Sequence, residues 1–159
     1  HAISEPLLSI QAMNNAGQQV EVAKEEAMFS YRSSRFPGES SGKLLITGGV
    51  FCLQPAAGRH VAARCREIIA LRRQKQPTGG GSAGSVCKDP DGDCAGRLIE
   101  QAGLKGLRCG KAMVSPTHAN FIVNIGGAAP DDIIGLMEEV QQQVFRYSGV
   151  LLEPEVCIY

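Results

Sequence analysis

Leu7–Met13 (LLSIQAM) is a short apolar run, followed by the polar turn NNAGQQ and by Val20–Ala23 (VEVA), and this pattern predicts a β-hairpin. Lys43 to Leu53 (KLLITGGVFCL) reads as a longer strand broken at Gly48-Gly49, where a bulge or a close backbone approach is expected. Between them, YRSSRFPGESSG is polar and reads as a loop or a short helix ending near Pro37. From Ala56 to Gln76 the period changes: Val61, Cys65, Ile68, Ile69 and Leu71 recur at helical spacing until Pro77 stops the run. TGGGSAGS (Thr78–Ser85) is the most flexible stretch. Ala95–Ala102 predicts a short helix closed by Gly103, and Lys111–Ser115 and Phe121–Asn124 predict short strands around SPTHAN. Pro130 or Asp131 opens a longer amphipathic helix through Tyr147, with Ile133, Ile134, Met137, Val140 and Val144 on one side and Gly149 as its stop. VLLEPEVCIY then reads as a closing strand. No internal repeat is present.

The fold class is therefore α+β, with a β-rich start and a mixed α/β remainder divided near Pro55–Gly58. We expect one unit over residues 1–56 and a second over 57–159. The composition supports a packed core: 43% of the 159 residues are hydrophobic and 20% are charged. Sixteen Lys and Arg balance sixteen Asp and Glu, which argues against a mainly electrostatic nucleic-acid or membrane binder. No apolar run approaches the roughly 20 residues of a membrane span, and the start does not read as a secretory signal. The chain begins at His1 rather than Met, which fits a processed end or an internal boundary.

Six cysteines (52, 65, 87, 94, 109 and 157) include no pair separated by two residues, so neither a zinc-ribbon nor a thioredoxin-type pair is present and free thiols are expected. Cys52 and Cys157 lie in apolar runs and are expected to be buried. Arg64, Arg66, Arg72, Arg73 and Lys75 crowd the first helix. They form either a solvated face or a cationic end turned toward an anionic ligand. His60 and His118 have no partner at metal-ligand spacing, so structural roles are the better reading and no metal is expected.

Three polar residues stand out by context. Arg32 lies in YRSS, Ser85 follows a glycine-rich turn, and Glu155 interrupts an apolar terminal run. Each has an ordinary explanation: a solvated arginine, turn chemistry, an outward strand position. No G-x-S-x-G, H-E-x-x-H or Walker loop occurs.

The ordered set GSVCKDP (Gly84–Pro90), AGRLIEQAGLKG (Ala95–Gly106), VSPTHANFIVNIGGA (Val114–Ala128) and GVLLEPEV (Gly149–Val156) resembles the C-terminal part of the UDP-N-acetylenolpyruvoylglucosamine reductase (MurB) family. FSYRSSRF (Phe29–Phe36) resembles the same family's YR-x-S-x-F segment. The resemblance implies the trailing edge of an FAD-binding lobe followed by a substrate-binding domain. It implies a bacterial, cytoplasmic oxidoreductase of peptidoglycan synthesis, hence of cell wall, cell shape and cell cycle. Such enzymes use NADPH and FAD to reduce the enolpyruvyl ether of UDP-N-acetylglucosamine to the lactyl ether of UDP-N-acetylmuramate.

Carried over position by position, Ser85 matches the family's proton donor, and Arg32 and Glu155 match its other two active-site residues. A guanidinium can hold the substrate carboxylate in bidentate fashion as negative charge grows, and a protonated Glu155 could donate to the same group. Lys75 aligns with a substrate-binding lysine, and Tyr31 falls in the same substrate set. Asp89 stands where the family has Asn, and Cys87 where it has an aromatic. Gly48 and Gly49 lie where a flavin or substrate could approach, although strand-bulge chemistry explains them equally well.

Complete members are longer and carry a glycine-rich segment for the FAD pyrophosphate, which is not seen before Tyr31. The last strand normally runs a little further than it does here. The resemblance thus implies a reductase fragment whose partner is the N-terminal flavin-binding half. A non-catalytic UDP-sugar-binding module lacking flavin is the alternative.

Overall fold

The computed structural model describes residues 2–36, 44–78 and 81–158. They fall into two compact units, His1–Gly58 and Arg59–Tyr159.

In the first unit, β1 (Leu7–Met13) pairs antiparallel with β2 (Gln19–Ala23) and with β3 (Leu45–Phe51), giving the order β2-β1-β3. The expected hairpin forms. Its turn is shaped by Asn14, whose Oδ1 accepts the N–H groups of Ala16 and Gln18, both at 3.0 Å. β1 breaks strict alternation because Leu7 faces Phe51 and Ser9 faces Val50, so Leu8 is an extra residue. That bulge lets Ser9 and Ile10 both be buried. A second irregularity falls at Thr47, one residue before the glycine pair, since Gln11 faces Gly48 and Ala12 faces Ile46. Leu7, Ile10, Val22 and Ala27 form the small core, with Phe36 and Leu44 against it. After β2, a 3-10 turn (Lys24–Ala27) leads into a loop. The expected end at Pro37 and the strand start at Lys43 lie outside the described residues.

In the second unit, α1 (Gly58–Lys75, its first residue at the boundary) and α2 (Ala95–Gln101) precede a sheet. That sheet is antiparallel in the order β4-β5-β6, formed by β4 (Arg108–Cys109), β5 (Ala112–Val114) and β6 (Ile122–Asn124), and α3 (Pro130–Ser148) packs on it. α3 buries Leu136, Met137, Val140 and Val144, which is a helical stripe. Gly149 ends it with φ +73°. Asp132 ties the start of α3 to the β4–β5 turn: its Oδ2 accepts the N–H groups of Ala129 at 3.0 Å and Lys111 at 3.1 Å. Gly110 is required there, because a Cβ would overlap the Asp132 carboxylate. The core joins α2, α3 and the sheet through Leu98, Ile99, Val114, Leu136, Val144 and Leu152.

Two expectations are corrected, and two further features were not anticipated. Cys52 and Cys157 are exposed, not buried; an apolar neighbourhood in sequence does not supply a covering layer in space. The closing strand is reduced to one bridge, between Cys87 and Pro154, and a proline has no N–H to extend a ladder. The short strand β4 was not anticipated, as two residues carry no period. α1 forms at its expected place yet buries none of its residues, so its apolar stripe covers nothing. Among the described residues, all six cysteines are free, and no helix is long and apolar enough to cross a membrane.

Candidate functional site

Ser85 is positioned by backbone bonds from two distant segments. Gly84, at φ +91°, turns the chain immediately before it, a conformation suited to glycine. Ser85 then bridges Phe121, and the Val86 N–H donates to the Asn120 carbonyl at 2.9 Å. On the other side, the Glu155 N–H donates to the Val86 carbonyl and the Lys88 N–H to the Glu153 carbonyl, both at 2.8 Å. Residues 85–88 therefore run as the middle member of an irregular three-segment ribbon between 120–121 and 153–155. This brings Ser85 and Glu155 onto neighbouring segments, although they are far apart in sequence.

A cavity of about 390 Å³ lies over this ribbon, lined by Ser85, Asp89, Arg97, Thr117, His118 and Asn120 among others. Asp89 Oδ1 accepts the N–H of Ala95 at the start of α2, at 2.8 Å. An asparagine Oδ1 could accept the same bond, so the Asp89 departure leaves this contact intact. Arg97 pairs with Asp93, which its guanidinium holds below the ordinary carboxylate range. His118 Nδ1 accepts the Asn120 N–H at 3.2 Å, and its ring meets Phe121 edge-on with centroids 4.9 Å apart. His118 thus has the structural, hydrogen-bonded role expected from sequence. His60 sits exposed on α1.

Cys87 is buried below the ribbon. Burial first, and the nearby Glu155 carboxylate second, push its thiol up from 9.0 to about 11. Glu155 itself is half-buried.

A second cavity of about 730 Å³ lies beside the end of α1, lined by Arg73, Gln76, Gly81, Ser115, Thr117 and Asn124 among others. Lys75 is the last residue of α1, next to this opening, and Thr117 borders both cavities. The basic residues of α1 are all exposed, and only Arg64 meets a carboxylate of the helix, Glu67 at 2.7 Å.

Tyr31 and Arg32 belong to the other unit. They form the tip of a tight turn closed by Ser30 N–H to the Ser33 carbonyl at 2.9 Å and the reverse bond at 3.2 Å. Arg32 has φ +53°, and its guanidinium carbon lies 5.8 Å from the Tyr31 ring centre. A non-glycine residue in this left-handed region costs roughly 1–2 kcal/mol, and such strain gathers at functional sites. A cavity of about 770 Å³ adjoins the turn, bordered by Ala2, Phe29, Tyr31, Arg32 and Ser34 among others. Gly48 and Gly49 lie in β3, where a Cβ would meet the flexible tip of Gln11 (Oε1) at 2.8 Å and the Phe51 ring at 3.1 Å. Among the described residues, no three His, Cys, Asp or Glu gather as a metal site.

Sequence reasoning missed Asn120 and Ser115. Ser115 is fully buried, and its Oγ accepts the N–H groups of Thr117 and His118, shaping the loop that presents Asn120. A polar residue flanked by a strand end and a proline was the available signal.

Residues 76–159 match the family model described as UDP-N-acetylenolpyruvoylglucosamine reductase, C-terminal domain. UDP-N-acetylenolpyruvoylglucosamine reductase 2 of Symbiobacterium thermophilum is 46% identical over 143 residues, covering 90% of this chain and 46% of that protein. The reductase of Alkalilimnicola ehrlichii is 51% identical over 113 residues, covering 71% of this chain and 38% of that one. The crystal structure of UDP-N-acetylenolpyruvylglucosamine reductase (MurB) from Thermus caldophilus superposes with a TM-score of 0.83 at 34% identity, over 98% of this chain and 54% of that chain. The chain thus spans about half the length of the relatives it matches.

Proposed function

The chain belongs to the UDP-N-acetylenolpyruvoylglucosamine reductase family, and from that premise we propose that it is the C-terminal part of an NADPH- and FAD-dependent reductase. The reaction is reduction of the enolpyruvyl ether of UDP-N-acetylglucosamine to UDP-N-acetylmuramate, a step of peptidoglycan synthesis in the bacterial cytoplasm. The observation that supports this reading best is the juxtaposition of Ser85 and Glu155 through Val86, inside the segment the family model matches.

The chemistry follows from the donor set. A guanidinium, a hydroxyl and a carboxyl group can bind an anion and move a proton, but none of them can supply two electrons. FAD, when bound and recharged by NADPH, would supply the hydride. Hydride addition to one carbon of the double bond leaves an electron pair on the adjacent carbon, conjugated with the substrate carboxylate. Arg32 holds that carboxylate and stabilises the developing charge. Ser85 delivers the proton to the adjacent carbon; a free hydroxyl is a weak acid, so it acts on a carbanion-like species or relays a proton. Glu155, protonated, donates a hydrogen bond to the same carboxylate. Lys75 meets the UDP phosphates as a point charge, and Tyr31 and Asp89 complete the substrate contacts.

The N-terminal flavin-binding half is the partner we infer. β3 exposes Leu45, Ile46, Val50 and Phe51, and α1 exposes Val61, Ile68, Ile69 and Leu71. Apolar surface of this kind marks an interface.

The test joins this chain to the N-terminal half and follows NADPH oxidation with the enolpyruvyl UDP-sugar. Turnover that needs the substrate and is lost in Ser85→Ala supports the reading. NADPH oxidation that ignores the substrate, or a Ser85→Ala protein at wild-type rate, refutes it.

A further inference from the structure

We propose that Asn120 is the positioning residue for Ser85, its side-chain amide clamping the Ser85–Lys88 segment by completing a ladder that the backbone leaves unfinished. The inference deepens the reductase reading and rests on it for the identity of Ser85 as proton donor.

Asn120 is 5% exposed, and each of its polar groups is engaged. Its Oδ1 accepts the Cys87 N–H at 2.9 Å, and its Nδ2 donates to the Cys87 carbonyl at 2.8 Å. Its backbone carbonyl accepts the Val86 N–H at 2.9 Å, and its own N–H goes to His118 Nδ1 at 3.2 Å. Three of these four bonds therefore land on the two residues that follow Ser85.

The two amide bonds to Cys87 reproduce the reciprocal pair that a neighbouring strand residue would make. No strand residue can make them here, because the chain is turning: the Phe121 N–H reaches back to the His118 carbonyl at 3.1 Å. The side chain stands in for the missing backbone. With both amide ends committed, its torsion angles are fixed. The peptide at Cys87 is fixed with them, on the side opposite the Glu153 and Glu155 bonds. Asn120 also lines the 390 Å³ cavity beside Ser85, so the clamp and the hydroxyl it places share one wall.

The experiment has two arms. In the 159-residue chain, amide hydrogen exchange is measured for Val86, Cys87 and Glu155 in the wild type, Asn120→Ala and Asn120→Asp. The Cys87 amide is expected to exchange more than about tenfold faster in Asn120→Ala, since its acceptor is gone. Asn120→Asp keeps an acceptor and loses only the donor, so Cys87 protection is expected to be partly restored. It also serves as the second variant if Asn120→Ala does not fold. In the flavin-loaded reductase of which we read this chain as the C-terminal part, kcat is expected to fall by about 10- to 100-fold with KM nearly unchanged, as for a displaced catalytic group. Unchanged Cys87 exchange in both variants overturns the clamp. Faster exchange with wild-type kcat, or kcat and KM changing only in proportion to lost folded protein, overturns the positioning role. A wild-type enzyme that shows no turnover overturns the functional reading, while the exchange arm still decides the clamp.

Discussion

Replacing Gly84 by Ala isolates the backbone strain that aims Ser85. A Cβ at Gly84 would meet no atom within 4 Å, so the substitution introduces no clash. What it introduces is a side chain at φ +91°, beyond even the ordinary left-handed region. The cost is about 1–2 kcal/mol. If the fold absorbs it, the unit Arg59–Tyr159 loses that much stability. For a domain of about 100 residues this lowers Tm by roughly 5–15 °C. If instead the chain relaxes to negative φ, Ser85 leaves Phe121, the Val86 amide loses its Asn120 acceptor and exchanges faster, and kcat of the flavin-loaded enzyme falls. Gly17→Ala is the matched control. Gly17 has φ +76° in the β1–β2 turn, also with nothing within 4 Å. That variant should destabilise the first unit comparably and leave Val86 exchange and the second unit's transition untouched. Calorimetric melting and amide exchange on the three proteins decide the matter. A Gly84→Ala protein that melts within about 1 °C of wild type with normal Val86 protection refutes the reasoning.

Asp132→Ala removes the acceptor for Ala129 and Lys111 and should cost about 1–2 kcal/mol, read by chemical denaturation. Cys87 should resist alkylation in the folded protein under mildly alkaline conditions that modify the exposed Cys52, Cys65 and Cys157, as mapped by mass spectrometry. Because the folded thiol is raised from 9.0 to about 11, the native state holds the proton longer than the unfolded chain does; this contribution to stability is present below pH 9 and is lost as pH rises through 11. Asp89→Asn removes a carboxylate from the Ser85 cavity and keeps the Oδ1 acceptor for Ala95, so an anionic UDP-sugar should bind more tightly, by about 1 kcal/mol or roughly fivefold in calorimetry. Phe51→Lys, on the exposed β3, should weaken binding of the chain to the N-terminal half in sedimentation without lowering its helix content.

The elements legible in the sequence are those whose signals are local. α3 announces itself by Pro130, two acidic residues in its first turn, a buried stripe and Gly149, all within one segment. The β1–β2 hairpin follows from one polar turn between two apolar runs. Burial was less legible, because it depends on what lies opposite. The apolar positions of α1 have the period of a buried face and remain exposed, and Cys52 and Cys157 share that fate. The proposed site residues rest on the family's ordered motifs alone. Taken singly, Arg32, Ser85 and Glu155 fit a loop, a turn and an outward strand position. Asn120 escaped notice because a side-chain amide that replaces a strand has no periodic signature.

The same geometry explains why this chain tolerates departures beside its proposed proton donor. Cys87 and Asp89 are the positions that the resemblance reads as departures from the family, and the bonds along residues 86–88 run through backbone groups there. Asn120 grips the backbone N–H and C=O of Cys87, which any residue but proline would present. Glu155 and Lys88 likewise bond through backbone groups. The Cys87 side chain points into the core, where its volume matters and its chemistry is suppressed by burial. The Asp89 Oδ1 accepts the Ala95 N–H, as an asparagine Oδ1 also could. Each of the bonds to the ribbon backbone contributes only about 1 kcal/mol, but they converge on three consecutive residues, 86–88, from both sides. Displacing Ser85 therefore requires several of them to break together, and substitutions confined to the side chains of 87 and 89 leave these backbone bonds in place.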